Sequence, residues 1–118
     1  MTYSYKMLSM PGANCHVEFT TNNFNSLTAI TLVSYHTPIL KLELGFDASD
    51  GVLAILYPVN CSVSTARHVN RFTTELFGVN RYHELKSLGK GATVICPDCV
   101  MDAVNMFEHY VNVGKRCH

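Results

Sequence analysis

The spacing of hydrophobic residues changes near Asn60, and this change limits the fold more than any other feature of the sequence. Before it, apolar and β-branched residues follow the period of two that strands show when one face is buried. After it, apolar residues recur at intervals of three and four, which is the period of an amphipathic helix. A chain with strands first and helices second is typical of an α+β protein.

Four segments of the first half are predicted strands. Leu40, Leu42 and Leu44 alternate with charged residues, so their segment has one buried and one exposed face. Turn-forming residues separate the segments, including Asp50 and Gly51 before the fourth. Short connections of this kind predict an antiparallel meander. The four segments are residues 15–21, 27–35, 39–45 and 52–58.

Two segments of the second half are predicted helices. The first follows Ser62 or Ser64, either of which can cap it, and ends at Gly78. The second begins near Pro97 and ends at Gly114. A weaker helical segment at 81–89 and a short strand at 92–95 lie between them. The apolar stripes are Ala66, Val69, Phe72 or Thr73, and Leu76 in the first helix, and Val100, Ala103, Val104, Phe107, Tyr110 and Val111 in the second.

Packing both helices on one face of the meander gives the expected α+β architecture, with an antiparallel sheet of about four strands. The 118 residues match a single domain that spans 1–118. Hydrophobic residues make up 47% of the chain and charged residues 15%, which excludes an intrinsically disordered protein. Nine basic and nine acidic side chains cancel, so the chain lacks the overall positive charge of a general nucleic-acid binder.

The sequence predicts a cytoplasmic protein. No apolar run reaches the roughly 20 residues that cross a bilayer, and the first residues lack the basic and apolar regions of a secretory signal. Five cysteines, an odd number, fit reduced thiols better than a disulfide framework. We therefore expect no membrane partner.

Two short segments resemble small uncharacterised proteins of phages and plasmids. The sequence CSVSTARHVN at 61–70 resembles a family motif that reads roughly Tyr-Ser-Val-Thr-Thr-Ser, a basic residue, His, any residue and Asn. SYHTPI at 34–39 is similar to the family's Ser-Tyr-x-Thr-Pro-aliphatic segment. The resemblance covers residues 27–78, and it departs at Cys61, where the family usually has an aromatic residue, and after residue 78.

The resemblance implies a genomic setting, a phage or another mobile element, and carries over no mechanism. Together with the low charged fraction and the lack of a complete catalytic set, it leads us to expect an accessory protein that acts without catalysis, by binding a host or mobile-element protein in the host cytoplasm. Inhibition of a host defence system, in the manner of an anti-CRISPR protein, is one such role. The exposed side of the first helix, together with a tyrosine at a strand end, is the predicted contact surface. Its residues are Tyr35, Arg67, His68, Asn70 and Arg71.

Ser64 and His68 lie one helical turn apart, which is close enough for a nucleophile and its base. Neither an orienting carboxylate at a recognisable spacing nor a Gly-x-Ser-x-Gly turn accompanies them. A capping network, in which His68 fixes the helix against the sheet, explains both residues without a substrate. We therefore predict no catalytic residues.

Cys96 and Cys99 support a different interpretation, a zinc or thiol site at a helix start. A zinc ion needs two further ligands about 2.0–2.3 Å from the metal. His109 lies ten residues past Cys99, or about 15 Å along the helix, and is too far away. Two packed thiols would need no cofactor at all. The remaining candidate ligands are Cys15, His16 and His83.

A locally basic stretch at 67–90 supports another alternative, nucleic-acid binding through phosphate contacts. Arg71 and Glu75, four residues apart, can instead pair with each other on a solvated helix face. The apolar composition is also compatible with a homodimer that buries spare strand or helix surface.

Overall fold

The computed structural model of the chain describes residues 1–44, 63–78 and 101–117 in full, and the backbone of residues 52–56, 93–96 and 100. Within these residues six strands form one sheet in the order of the chain, and every neighbouring pair is antiparallel. The strands are β1 (Thr2–Lys6), β2 (Cys15–Thr21), β3 (Leu27–Ser34), β4 (Thr37–Leu44), β5 (Val52–Leu56) and β6 (Thr93–Cys96). Helix α1 (Val63–Phe77) comes between β5 and β6, and helix α2 (Val100–Val113) follows β6. The predicted α+β class is confirmed.

The meander extends beyond the four predicted strands at both edges. Those four correspond to β2, β3, β4 and β5, and the short strand predicted at 92–95 corresponds to β6. Strand β1 was not predicted, although Tyr3 and Tyr5 alternate there with polar residues and pair with β2. The helical segment predicted at 81–89 lies outside the described residues, as does the turn at Asp50 and Gly51.

One face of the sheet carries both helices. Every second residue of β2 is buried. The register places Phe19 opposite Ile30 and Val17 opposite Leu32, so the buried face continues into β3. Buried residues of α1 and α2 join those of the strands in one hydrophobic cluster. The opposite face carries polar and charged side chains, among them Lys6, His16, Glu18, Lys41 and Glu43.

Helix α1 has a wider buried face than its apolar residues indicate. The predicted stripe is confirmed for Val69, Phe72, Thr73 and Leu76, whereas Ala66 is half-buried. Two further residues of the buried face are polar, Thr65 and His68. Ser62, one of the two predicted caps, lies outside the described residues, and Ser64 is exposed within the helix.

Helix α2 presents a slightly different face to the core from the one predicted. Ala103 and Tyr110 are buried as expected, but Met106 is buried as well, and Val111 is 53% exposed. Gly114 follows the last helical residue as predicted, and its N–H donates to the carbonyl oxygen of Tyr110 at 2.7 Å. Neither α1 nor α2, the helices of the described residues, is long and apolar enough to cross a membrane.

Residues 115–117 return along the outer edge of β1. The N–H of Lys6 donates to the carbonyl oxygen of Lys115 at 2.8 Å, and the N–H of Cys117 donates to that of Ser4 at 2.9 Å. This short segment covers part of an edge strand that would otherwise present unpaired backbone groups. It also fixes the position of Arg116, whose backbone forms an isolated antiparallel β-bridge with that of Tyr5.

Candidate functional site

In the turn between β3 and β4, two consecutive residues have left-handed backbone angles although neither of them is glycine. The φ angles of Tyr35 and His36 are 49° and 71°. Ser34 pairs with Thr37, so the connection is a two-residue hairpin turn with both central φ angles positive, as in type I′ turns. Asparagine and glycine usually occupy such positions, because left-handed geometry costs about 1–2 kcal/mol for a residue with a Cβ. The backbone of this turn is therefore strained at both Tyr35 and His36.

Buried polar contacts hold the turn against helix α1. The Oγ of Ser34 lies 2.8 Å from Nδ1 of His68 and 3.2 Å from Oγ1 of Thr65, and all three residues are buried. On the other side, the N–H of Tyr35 donates to the carbonyl oxygen of Asn14 at 2.9 Å. These contacts tie the end of β3 to the first turns of α1, which explains how the strained conformation persists.

His68 is buried, so the prediction that it lies on the exposed side of α1 is wrong. Its residue surface is only 3% exposed, and its ring packs against that of Tyr35 with the centroids 5.7 Å apart. The prediction counted only apolar residues as buried and therefore left out His68. The imidazole can be buried because Ser34 supplies the hydrogen-bond partner that it needs. Burial also lowers the pKa of His68, so the ring is neutral at pH 7.

The structure confirms the alternative interpretation of His68, in which it fixes the helix against the sheet. Its serine partner is Ser34 of the sheet, whereas Ser64, considered above as a nucleophile, is exposed on α1. Ser34 itself is 2% exposed. A nucleophile must be accessible to its substrate, so the buried pair is better suited to a structural link.

The other predicted contact residues are Tyr35, in the turn, and Arg67, Asn70 and Arg71, on α1. Tyr35 is 49% exposed, and Arg67 and Arg71 are exposed on α1. The two arginines lie one helical turn apart, so their side chains are neighbours. Arg67 directly precedes His68 in α1 and Arg71 follows it by three residues, and the ring of Tyr35 packs against His68. Asn70 is half-buried, and its Oδ1 atom accepts no hydrogen bond from the described residues.

The guanidinium groups of Arg67 and Arg71 form no ion pair with a carboxylate of the described residues. The alternative pairing of Arg71 with Glu75 is not formed. Instead, Glu75 accepts hydrogen bonds from the hydroxyls of Tyr110 and Ser9, each at 2.9 Å. We define the tip surface as the exposed aromatic turn together with these two cations: Tyr35, His36, Arg67 and Arg71.

A cavity of about 370 Å³ borders the tip surface at Tyr35 and His36. The residues Cys15 and Cys117 also line it. Burial raises the pKa of the Cys15 thiol to about 11, so this group is protonated at neutral pH. A protonated thiol is a poor nucleophile.

The structure removes two of the ligands considered for a zinc site. Cys96 lies in β6, and Cys99 and His83 lie outside the described residues. Cys15 and His16 belong to β2, four strands from β6, which corresponds to about 19 Å at the usual strand spacing. Ligands within about 2.3 Å of one metal cannot span that distance. Within the described ranges, no group of three or more His, Cys, Asp or Glu side chains could hold a metal ion.

The basic stretch at 67–90 is described only as far as residue 78. Arg67 and Arg71 are its exposed cations in that part. The others considered above, Arg81, Lys86 and Lys90, lie outside the described residues.

Comparisons with known proteins found no match to this chain. No family model, curated protein or solved structure matches it. The resemblance of residues 27–78 to small phage and plasmid proteins therefore stays a prediction. A functional conclusion rests on the geometry of the tip surface.

Proposed function

We propose that the chain is a non-catalytic binding module that engages an acidic surface of a partner protein through the tip surface. The conformation of the turn is the observation that carries this proposal. Left-handed residues other than glycine persist only where their surroundings over-determine them, and they concentrate at functional sites. Here the buried contact between Ser34 and His68 holds an exposed tyrosine in such a conformation.

The chemistry of the tip surface matches residues that dominate the binding energy of protein interfaces. Tyrosine and arginine are enriched at interface hot spots, where truncation to alanine costs about 2 kcal/mol or more. A tyrosine ring offers a large contact area with few rotatable bonds, and a guanidinium group binds a carboxylate through two parallel hydrogen bonds. The complementary partner surface combines a pocket for the Tyr35 ring with Asp or Glu side chains facing Arg67 and Arg71.

The rigidity of the turn favours binding as well. Each flexible side chain that becomes ordered at an interface costs roughly 0.5–1.5 kcal/mol. The Tyr35 ring already packs on the buried ring of His68, and its backbone N–H is already bonded to Asn14. Tyr35 therefore loses less conformational entropy on binding than a tyrosine in a flexible loop.

The resemblance to phage and plasmid proteins adds a biological setting to this proposal. In that setting the partner is a protein of the host cell or of the mobile element, and the chain acts by occupying its surface. Inhibition of a host defence system is a role that such a module can serve.

Affinity capture from a lysate of the host cell, followed by mass spectrometry, tests the proposal. The variants Tyr35→Ala and Arg67→Ala/Arg71→Ala should retain the partner at least about tenfold less than the wild type, since hot-spot truncation exceeds 1.4 kcal/mol. Phe24→Ala is the matched control, because this 87% exposed aromatic residue lies in the β2–β3 turn, at the opposite end of the sheet.

Equal capture by all four proteins would exclude the tip surface as the contact. Recovery of nucleic acid alone, released steeply by salt, would replace the proposed protein partner with phosphate contacts.

A further inference from the structure

A second cavity, of about 420 Å³, lies between β1 and α2 and shares no residue with the tip surface. This volume falls in the range of small-molecule sites, which are typically lined by aromatic side chains with a few polar groups. The lining has that composition. Its aromatic residues are Tyr3, Tyr5 and Phe107, and its polar residues include Glu108, Asn112 and Arg116.

The aromatic wall of this cavity is held in place by the core. The ring of Phe107 packs on the buried ring of Phe19, with the centroids 5.2 Å apart. The ring of Tyr5 contacts that of Phe19 at 5.8 Å and that of Tyr110 at 5.9 Å. Tyr3 lies 6.5 Å from Phe107, and both of these residues are half-buried. A planar ring that enters the cavity therefore meets a preformed surface on which to stack.

Arg116 supplies a fixed cation at the same cavity. Its guanidinium carbon lies 4.9 Å from the ring centroid of Tyr3 and 5.8 Å from that of Tyr5. The guanidinium group has five N–H donors, more than its contacts with two ring faces can occupy. Arg116 forms no ion pair with a carboxylate of the described residues, so these donors can receive an anion.

We propose that this cavity binds a small planar aromatic compound with one anionic group, whose ring stacks against Tyr3 and Phe107 and whose anion bonds to Arg116. A carboxylate or sulfonate has the acceptor geometry that the guanidinium fork requires and carries a single negative charge. Glu108 lines the same cavity, and its carboxylate disfavours a second negative charge on the ligand. The site therefore selects aromatic monoanions over polyanions.

Two fluorescent dyes that share one ring system test this site. The probe 8-anilino-1-naphthalenesulfonate carries a sulfonate, and N-phenyl-1-naphthylamine has the same rings without it. Both are titrated into the folded full-length chain. The wild type should bind the sulfonate dye saturably at one site, and Arg116→Gln should weaken that binding about tenfold while changing the affinity for the neutral dye by less than about twofold. The control Lys6→Gln, at an exposed cation of β1 that does not line this cavity, should change neither affinity.

A second variant tests the cavity without altering Arg116. An indole at the exposed position 112 of α2 projects into the cavity, so Asn112→Trp should weaken both dyes about tenfold or more through loss of volume. The near-ultraviolet circular dichroism of each variant shows whether it is folded.

Three outcomes would overturn the proposal. The first is equal loss of both dyes in Arg116→Gln, which would mean that Arg116 only fastens residues 115–117 to β1. The second is unchanged binding of both dyes in Asn112→Trp. The third is the absence of saturable binding of the sulfonate dye to the wild type.

Discussion

The Oγ of Ser34 lies 2.8 Å from Nδ1 of His68, and this contact joins the last residue of β3 to the buried face of α1. Each of these buried side chains gives the other a hydrogen-bond partner, and the buried Thr65 lies beside them. The ring of Tyr35 packs on the same imidazole. The contact therefore couples the stability of the fold to the shape of the tip surface.

Removing the hydroxyl of Ser34 should destabilise the fold. Ser34→Ala leaves Nδ1 of His68 without this partner, and a buried polar group that loses its partner costs about 1–3 kcal/mol. We expect the free energy of unfolding in urea to fall by that amount. The matched control is Ser64→Ala, at an exposed serine of α1, which should change it by less than about 0.5 kcal/mol. Equal effects would show that the contact does not stabilise the protein.

The burial of His68 should make stability depend on pH. Because burial lowers its pKa below the ordinary value of 6.5, the unfolded chain takes up this proton at a higher pH than the folded chain. The free energy of unfolding is therefore not reduced by this proton above about pH 6.5. It decreases as the pH falls below that value, by at most about 1.4 kcal/mol per pH unit for one proton.

His68→Gln isolates this effect, because glutamine can still reach Ser34 but does not titrate. Urea unfolding at several values between about pH 7 and pH 5 should show a larger loss of stability for the wild type than for this variant. Parallel curves for the two proteins would contradict the assignment.

Glycine at position 36 should stabilise the fold. His36 has a φ of 71°, and relief of left-handed strain of about 1–2 kcal/mol outweighs the roughly 0.5–1 kcal/mol that glycine costs in backbone entropy. His36→Gly should therefore raise the thermal midpoint by a few degrees. Thr37, the neighbouring exposed residue of β4, has no left-handed strain to relieve, so Thr37→Gly should lower the thermal midpoint. A decrease of the same size in both variants would show that the turn is not strained.

An alanine at position 114 should disturb the end of α2. A Cβ there would lie 2.5 Å from the carbonyl oxygen of Tyr110 and 2.8 Å from Cδ1 of Tyr5, so the backbone or the ring must move. Overpacking of this kind costs typically about 1–3 kcal/mol. Gly12→Ala is the control, since its Cβ would meet no atom within 4 Å. Thermal unfolding should separate the two variants, and coincident curves would refute the close contact.

Much of the fold follows from local patterns in the sequence. The alternation of Leu40 and Leu42 with charged residues identifies β4, and the spacing of Val69, Phe72 and Leu76 identifies α1. Strand β1 was missed, although its tyrosines alternate with polar residues. A tyrosine side chain is both polar and apolar, so the alternation in β1 is weaker than that in β4. One face of β1 is buried only because the strand pairs with β2, across the connection at residues 7–14.

The candidate site was only partly predictable for a related reason. The exposure of Tyr35, Arg67 and Arg71 follows from their positions at a strand end and outside the apolar stripe. The burial of His68 does not, because it depends on Ser34, which lies 34 residues earlier in the chain. The left-handed turn is likewise hidden, since its usual sequence signal is Asn-Gly and not Tyr-His. Such conflicts between local preference and structure are expected at functional sites.

Hydrogen exchange of the chain, alone and saturated with its captured partner, is the decisive test of the tip surface. Binding should slow the exchange of backbone amides at residues 35–37 and 67–71, and should leave residues 23–25 in the opposite turn unchanged. Unaltered exchange at 35–37, with protection confined to another region of the chain, would contradict the proposed contact.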